Sequence, residues 1–147
     1  MLRALWTEDA VTFDGRWHQL HGAGLAPHPI QRPIPLWLGG MAERSVERAA
    51  RFADGWIPLP MEPDDEARAM VRTFRETAEQ LGRDTDVLGL EACLPSAWIT
   101  AAHWRTYVDG WRDLAATHLV VGTRRADPMS VHEHIDALRR VKDVLDG

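Results

Sequence analysis

Two adjacent glycines, Gly39-Gly40, followed by Met41-Ala42 and by Ser45, stand where an apolar run gives way to a helical pattern. Amides in the first turn of a helix lack partners, point outward and lie at the positive end of the helix dipole, so they attract phosphate. Glycine lets the backbone approach an anion closely, and Ser45, one turn in, can add a hydroxyl donor. Arg44 is the weaker candidate, because it can simply face water. Spacing alone reads Gly39-Gly40 more readily as a tight turn than as an anion cradle, since short glycine motifs are weak signals. Trp37 and Trp56 lie in apolar runs and could form the wall for a flat ring, or pack against helices instead. Pro58, Leu59 and Pro60 follow the second run and could shape a pocket, with no acid-base role.

Seven histidines invite a metal reading, which their spacing opposes. His18, His21 and His28 have no carboxylate at ligand spacing, and His132-Glu133-His134 puts two imidazoles on different faces of a helix rather than at i and i+4. His118 opens a strand and reads as a core or edge residue, with a pocket role conceivable. Cys93 reads as a small buried hydrophobe. Asp64-Asp65-Glu66 is a helix start favoured by the dipole.

The elements that must position these residues alternate. Leu2, Leu5 and Trp6 mark the end of a helix. Val11 to His18 reads as a hairpin turning at Asp14-Gly15, whose types suit a two-residue turn. Residues 21–35 are irregular, rich in glycine and proline. Leu36-Trp37-Leu38 then reads as a strand buried on both faces of a parallel sheet. Ala42, Val46, Ala49, Ala50 and Ala53 form one helical stripe, ended by Asp54-Gly55. Trp56 to Leu59 is a second strand. Asp64 or Asp65 caps a helix whose stripe is Ala67, Val71, Phe74, Ala78 and Leu81, stopped by Gly82. Val87 to Leu94 is a third strand with a break at Gly89. Trp104, Val108, Trp111 and Ala115 mark a helix weakened by Gly110. His118 to Gly122 is a fourth strand, and Asp127-Pro128 opens the last helix through Ile135, Leu138, Val141 and Leu145. Such alternation means βαβ units with parallel strands and right-handed crossovers.

Composition bounds the chemistry. The chain has 147 residues, of which 45% are hydrophobic and 27% charged, with a formal charge of −5. That is one globular body, 1–147, with no nucleic-acid partner expected. Nine acids against four arginines in 62–93 carry the imbalance, and the simplest reading is a solvated helix face. One cysteine excludes an internal disulfide and a thiolate zinc site. No apolar run reaches the roughly 18 residues that span a bilayer. The start of the chain lacks a signal-peptide layout, so the cytoplasm is expected and a membrane partner is not. A complete eightfold β/α barrel, typically about 250 residues, does not fit this length.

The stretch Trp6-Thr7-Glu8, Phe13-Asp14-Gly15, Pro33-Ile34-Pro35-Leu36-Trp37-Leu38-Gly39-Gly40 and Arg48-Ala49-Ala50-Arg51-Phe52-Ala53-Asp54-Gly55-Trp56 resembles the luciferase-like monooxygenase superfamily. Within it, the pattern is most similar to the coenzyme F-420-dependent oxidoreductases. Leu81-Gly82-Arg83-Asp84 and Thr117-His118-Leu119-Val120-Val121 fit the same pattern. The resemblance implies an α/β fold, the second half of a TIM-type (β/α)8 barrel from the end of helix 4 through strands 5 to 8. Residues 7–35 are then a hairpin and loop excursion within it. It implies a cofactor phosphate at Gly39, Gly40, Met41, Ala42 and Ser45, reversing the preference that spacing gives. Coenzyme F-420 is the implied cofactor, FMN the alternative. The implied reaction is hydride transfer between the (deaza)flavin and a small organic substrate, or an FMN-dependent monooxygenation. The family places its acid and base residues on the early strands, so no catalytic residue carries over. Met1 falls in mid-helix, which suggests a truncated reading frame. Two open sheet edges suggest a homodimer, pairing with a separate N-terminal half, or a half-barrel that only assembles and is not itself catalytic.

Overall fold

Alternation of short apolar runs with amphipathic stripes folds as expected into parallel βα units. The computed structural model describes residues 1–125 and 127–147. The chain divides into two compact units, Met1–Pro35 and Leu36–Gly147.

The first unit holds helix α1 (Leu2–Thr7), strand β1 (Val11–Asp14) and strand β2 (Gln19–Ala23). The strands pair antiparallel with Phe13 opposite Leu20 and Asp14 opposite Gln19. The turn is therefore the four residues Gly15 to His18, not the two-residue Asp14-Gly15 turn expected, and it closes by Gly15 N–H donating to the His18 carbonyl at 2.9 Å. Residues 21–23, expected to be irregular, complete β2.

The second unit holds β3 (Trp37–Gly39), α2 (Glu43–Phe52), β4 (Gly55–Ile57), α3 (Asp65–Gln80), β5 (Gly89–Pro95), α4 (Ala101–Asp113), β6 (His118–Gly122) and α5 (Val131–Asp146). The four strands form one parallel sheet in the order β3-β4-β5-β6. Side chains alternate across it. Trp56, Leu90, Ala92 and Leu94 are buried in a core shared with α2, α3 and α4. Trp37, Gly55, Gly89, Glu91, Cys93 and His118 hold the opposite parity. β3 is an edge strand and only half-buried, which corrects the expectation that Leu36-Trp37-Leu38 is covered on both faces.

Gly55 and Gly89 open strands; the first was expected in a turn and the second as a break. Both lie under the Trp37 indole, where an added Cβ would come within 2.4 Å and 2.1 Å of ring carbons. Gly89→Ala is accordingly expected to lower stability by about 1–3 kcal/mol, the usual cost of overpacking. A urea melt checks this, and adding Trp37→Leu to the variant is expected to return most of the loss. Gly110 has a similar reason: a Cβ there would meet Pro63 Cγ at 2.5 Å, so glycine lets α4 approach the loop after β4.

Other ends differ in detail. Ala115 does not extend the α4 stripe but follows the helix at φ 59°, a left-handed position where glycine is usual. The last helix is not opened by Asp127-Pro128. Ser130 is its N-cap, in a reciprocal capping box with Glu133. Backbone and hydroxyl donation from Ser130 holds the Glu133 carboxyl below its usual pKa. Leu81, Ile135 and Leu138, all expected on buried stripes, are exposed. Arg83 closes α2 from the far side, donating to the carbonyls of Ala50 and Ala53, the latter at 2.6 Å.

Candidate functional site

The junction between β3 and α2 is pinned from both sides. Gly40 N–H donates to the Ile57 carbonyl at 3.2 Å, extending the sheet one residue past β3. Trp56 Nε1–H donates to the Gly40 carbonyl at 2.8 Å from inside the core. Gly40 has φ +122°, and a Cβ on it would lie 3.0 Å from Ser45 Cβ and 3.2 Å from Ser45 Oγ. The glycine is thus required both for backbone conformation and for clearance.

α2 then begins behind Ala42, its N-cap at φ −62° and ψ 138°, which has no side chain able to cap. The Ala42 carbonyl accepts from Ser45 N–H at 2.7 Å and Val46 N–H at 3.1 Å. Among the described residues, nothing accepts from the amides of Met41, Ala42, Glu43 or Arg44. By contrast, α3 is capped by Asp64 Oδ1, which accepts from Glu66 and Ala67 amides at 2.9 and 3.1 Å. α5 is capped by Ser130, whereas α4 and the short α1 lack a side-chain cap as α2 does.

The expected cradle residues are therefore brought together, with roles the spacing does not separate. Gly39 ends the strand, and Gly40 sets the backbone with its N–H committed to the sheet. Met41 and Ala42 present open amides, and Ser45 lies half-buried one turn in. Beside them, Arg44, Glu47, Arg48 and Arg51 line a cleft of about 600 Å³ with Thr77 and Gln80. Such a site can hold an oxyanion at its open amides, with Glu47 among the arginines of the cleft.

A second concavity lies at the carboxyl ends of β4, β5 and β6. It has a volume of about 510 Å³ and is lined by Pro60, Cys93, Pro95, Trp98, Gly122, Arg124 and Arg125. In a parallel sheet these strand ends are where ligands gather. Its walls are fixed from α4. The Tyr107 hydroxyl lies 2.7 Å from the Met61 carbonyl and 2.8 Å from the Cys93 carbonyl, able to donate to either. Trp111 Nε1–H also donates to the Met61 carbonyl, at 3.3 Å. Ser96 Oγ donates to the Gly122 carbonyl at 3.0 Å, tying the ends of β5 and β6 together. Burial, with Glu91 adding repulsion, pushes the Cys93 thiol up, so it stays neutral. Burial likewise pushes the Tyr107 phenol up and keeps it a donor.

Of the pocket residues named from sequence, Pro60 lines this concavity, Pro58 is buried and Leu59 faces out. Trp56 is core, its ring 5.7 Å from Phe74. Trp37 covers the two glycines and meets His118 edge-on at 4.8 Å. Sequence reasoning misses Trp98, Arg124 and Arg125. The available signal was position alone: all three directly follow strand ends. Among the described residues no three His, Cys, Asp or Glu side chains gather as metal ligands do, and no helix is long and apolar enough to cross a membrane.

The chain is similar to known proteins in sequence and in fold. The model for luciferase-like monooxygenases matches residues 1–144. An uncharacterised protein of Mycobacterium tuberculosis is 39% identical over 80 residues, which is 53% of this chain and 27% of that protein. The coenzyme F-420-dependent glucose-6-phosphate dehydrogenase of Nakamurella multipartita is 28% identical over 89 residues, 60% of this chain and 26% of that one. Among solved structures, the coenzyme F-420-dependent tetrahydromethanopterin reductase of Methanopyrus kandleri superposes with a TM-score of 0.70 at 12% identity, over 97% of this chain and 57% of that one. The monooxygenase RslO1 of Streptomyces bottropensis gives 0.71 at 16% identity, over 98% and 56%. The matches thus cover little more than a quarter of these curated relatives and just over half of these two structures, whose likeness is one of fold.

Proposed function

This chain belongs to the luciferase-like monooxygenase family, and on that premise we propose that it is the cofactor-phosphate half of a coenzyme F-420-dependent oxidoreductase. The observation that carries this reading is the set of open amides at the start of α2, held in place by Gly40 and Trp56. The fit is specific in kind: an uncapped helix start behind Ala42, next to a positive-φ glycine, accepts an oxyanion without displacing any bond now made. Met41, Ala42, Glu43 and Arg44 would donate to the phosphate through their amides, and Ser45 through its hydroxyl.

When bound, the (deaza)flavin supplies hydride transfer to or from an organic substrate. The chain's own residues bind and orient. Trp56 and Ile57 fix Gly40, and so fix the direction in which the amides point. Neighbouring strands are roughly 4.8 Å apart, so the pocket at the ends of β5 and β6 lies about 10–15 Å from the phosphate donors. That is within reach of the body of such a cofactor and its substrate. Trp98, Pro60 and Pro95 give that pocket an apolar wall. Among the described residues no carboxylate or imidazole lines that pocket, so we assign its proton transfers to groups on the other half of the barrel. The outer edges of β3 and β6 are the surfaces through which that half, or a second copy, would pair.

The cleft beside the cradle favours coenzyme F-420 over FMN. FMN ends at its phosphate, whereas coenzyme F-420 carries further carboxylates beyond it, and Arg44, Arg48 and Arg51 outnumber Glu47 in the cleft that runs along α2. Titration of the purified chain with each cofactor, followed by fluorescence, tests the reading. Saturable binding of coenzyme F-420 is expected. The double variant Arg44→Glu, Arg48→Glu is expected to weaken it about tenfold at low salt and to affect FMN less. Failure of a folded chain to bind either cofactor would overturn the reading; preference for FMN would replace the named cofactor.

A further inference from the structure

The pocket at the ends of β4, β5 and β6 has a chemical character that the cofactor assignment does not explain. One wall is apolar: Pro60, Pro95 and the indole of Trp98, which is 72% exposed although large and hydrophobic. Surface this apolar beside a concavity marks a contact site. The other wall carries two consecutive guanidinium groups, Arg124 and Arg125. Arg125 also borders a smaller cavity of about 200 Å³ together with Arg140, so three arginines surround one corner of the sheet.

Among the described residues, Arg124 and Arg140 make no ion pair or hydrogen bond. Arg125 uses only its Nε, toward Met129 Sδ at 3.3 Å, which leaves both terminal nitrogens open. The facing acids do not neutralise them by contact. Glu133 is engaged by the Ser130 amide and hydroxyl at 2.7 and 2.9 Å. Glu91 lies two residues before Cys93, roughly 7 Å further down the strand. Glu133 attracts Arg125 electrostatically without touching it, which leaves the cluster with more positive than negative charge, and an oxyanion can be held there through paired, charge-assisted hydrogen bonds.

We propose that this pocket selects an anionic organic substrate, whose phosphate or carboxylate is held by Arg124 and Arg125 while its carbon skeleton lies against Trp98. The proposal rests on the reading that this end of the sheet carries the reaction, and it names the substrate class for it. Guanidinium forks match either oxyanion. The prolines and the indole require an apolar body, and a small inorganic anion would leave that wall uncovered.

Amide and indole nuclear magnetic resonance of the isotopically labelled chain tests this with phenyl phosphate, benzoate and benzyl alcohol as probes. At least one of the two anions is expected to shift the Trp98 indole N–H and the amides of Gly122 to Arg124 saturably, binding about tenfold or more tighter than the neutral alcohol. The tighter anion identifies phosphate or carboxylate. Arg124→Met, an exposed position that should not disturb folding, is expected to weaken the anion by about tenfold, with Arg124→Lys intermediate. Equal binding of benzyl alcohol, anion shifts confined to the amides of Met41 to Arg44, no shift at all, or an Arg124→Met variant of unchanged affinity would each overturn the proposal. The same sample is then titrated with coenzyme F-420. Cofactor shifts at Met41 to Arg44 with no anion at Arg124 leave the cofactor reading standing and remove this one. Anion binding without cofactor binding does the reverse.

Discussion

Trp56→Ala is expected to lose about 3–5 kcal/mol of stability, the range for deleting a large buried aromatic. Against the roughly 5–15 kcal/mol that holds a domain together, this leaves a substantial unfolded fraction at ambient temperature. The residue is 0% exposed, its ring packs 5.7 Å from Phe74, and its Nε1–H is the inward anchor of Gly40. Circular dichroism through a urea titration reads the loss. Trp56→Phe separates the two roles. It keeps much of the ring but removes the donor, at a cost of about 1–3 kcal/mol if the Gly40 carbonyl goes unpaired. Cofactor affinity is expected to fall even at temperatures where that variant is fully folded. A Trp56→Phe chain with unchanged binding would show that the core does not hold the cradle in place.

Ala42→Asp is expected to move stability and binding in opposite directions. Ala42 occupies the N-cap with extended backbone angles and no capping side chain. An aspartate there can accept from the first-turn amides and complements the dipole, a gain of about 1 kcal/mol. The same carboxylate occupies the donors proposed for phosphate and repels it, so cofactor affinity is expected to drop by about tenfold to a hundredfold. Ala42→Ser caps without charge and is expected to lose much less. Thermal melts and cofactor titrations on the same preparations read both quantities. A stabilised Ala42→Asp chain that binds as well as the unaltered one would place the phosphate elsewhere.

What the sequence made legible is what local pattern determines. Of the stripe Ala42, Val46, Ala49, Ala50 and Ala53, all are buried as spaced except Ala42, the exposed N-cap, and of the stripe Ala67, Val71, Phe74, Ala78 and Leu81, all except the exposed Leu81 at the helix end. Asp64 caps as its type suggests. The misreadings have non-local or competing causes. Gly55 and Gly89 look like punctuation, yet their reason is the Trp37 ring from another strand lying over both. Asp127-Pro128 is a sound helix opening in isolation, but Ser130 with Glu133 three residues later offers two reciprocal bonds and prevails. Leu36-Trp37-Leu38 has the composition of a buried strand and lies at an edge, because strand order is not written in a strand's own residues.

The site divides in the same way. Gly39-Gly40-Met41-Ala42 was visible because strand, glycine and helix are contiguous in the chain. That Gly40 N–H belongs to the sheet and not to an anion depends on Ile57, seventeen residues on. Trp98, Arg124 and Arg125 follow two different strands and meet only because those strands are neighbours. No periodicity marks such residues.

Receipt of the cofactor's phosphate by the open amides at the start of α2 is what the proposed function requires. It is tested most directly by following the backbone amide resonances of the labelled chain during a coenzyme F-420 titration. The largest saturable shifts are expected on Met41, Ala42, Glu43 and Arg44, with the Trp56 indole N–H following through Gly40. Saturable binding whose largest shifts lie elsewhere, with those four amides unmoved, would contradict it.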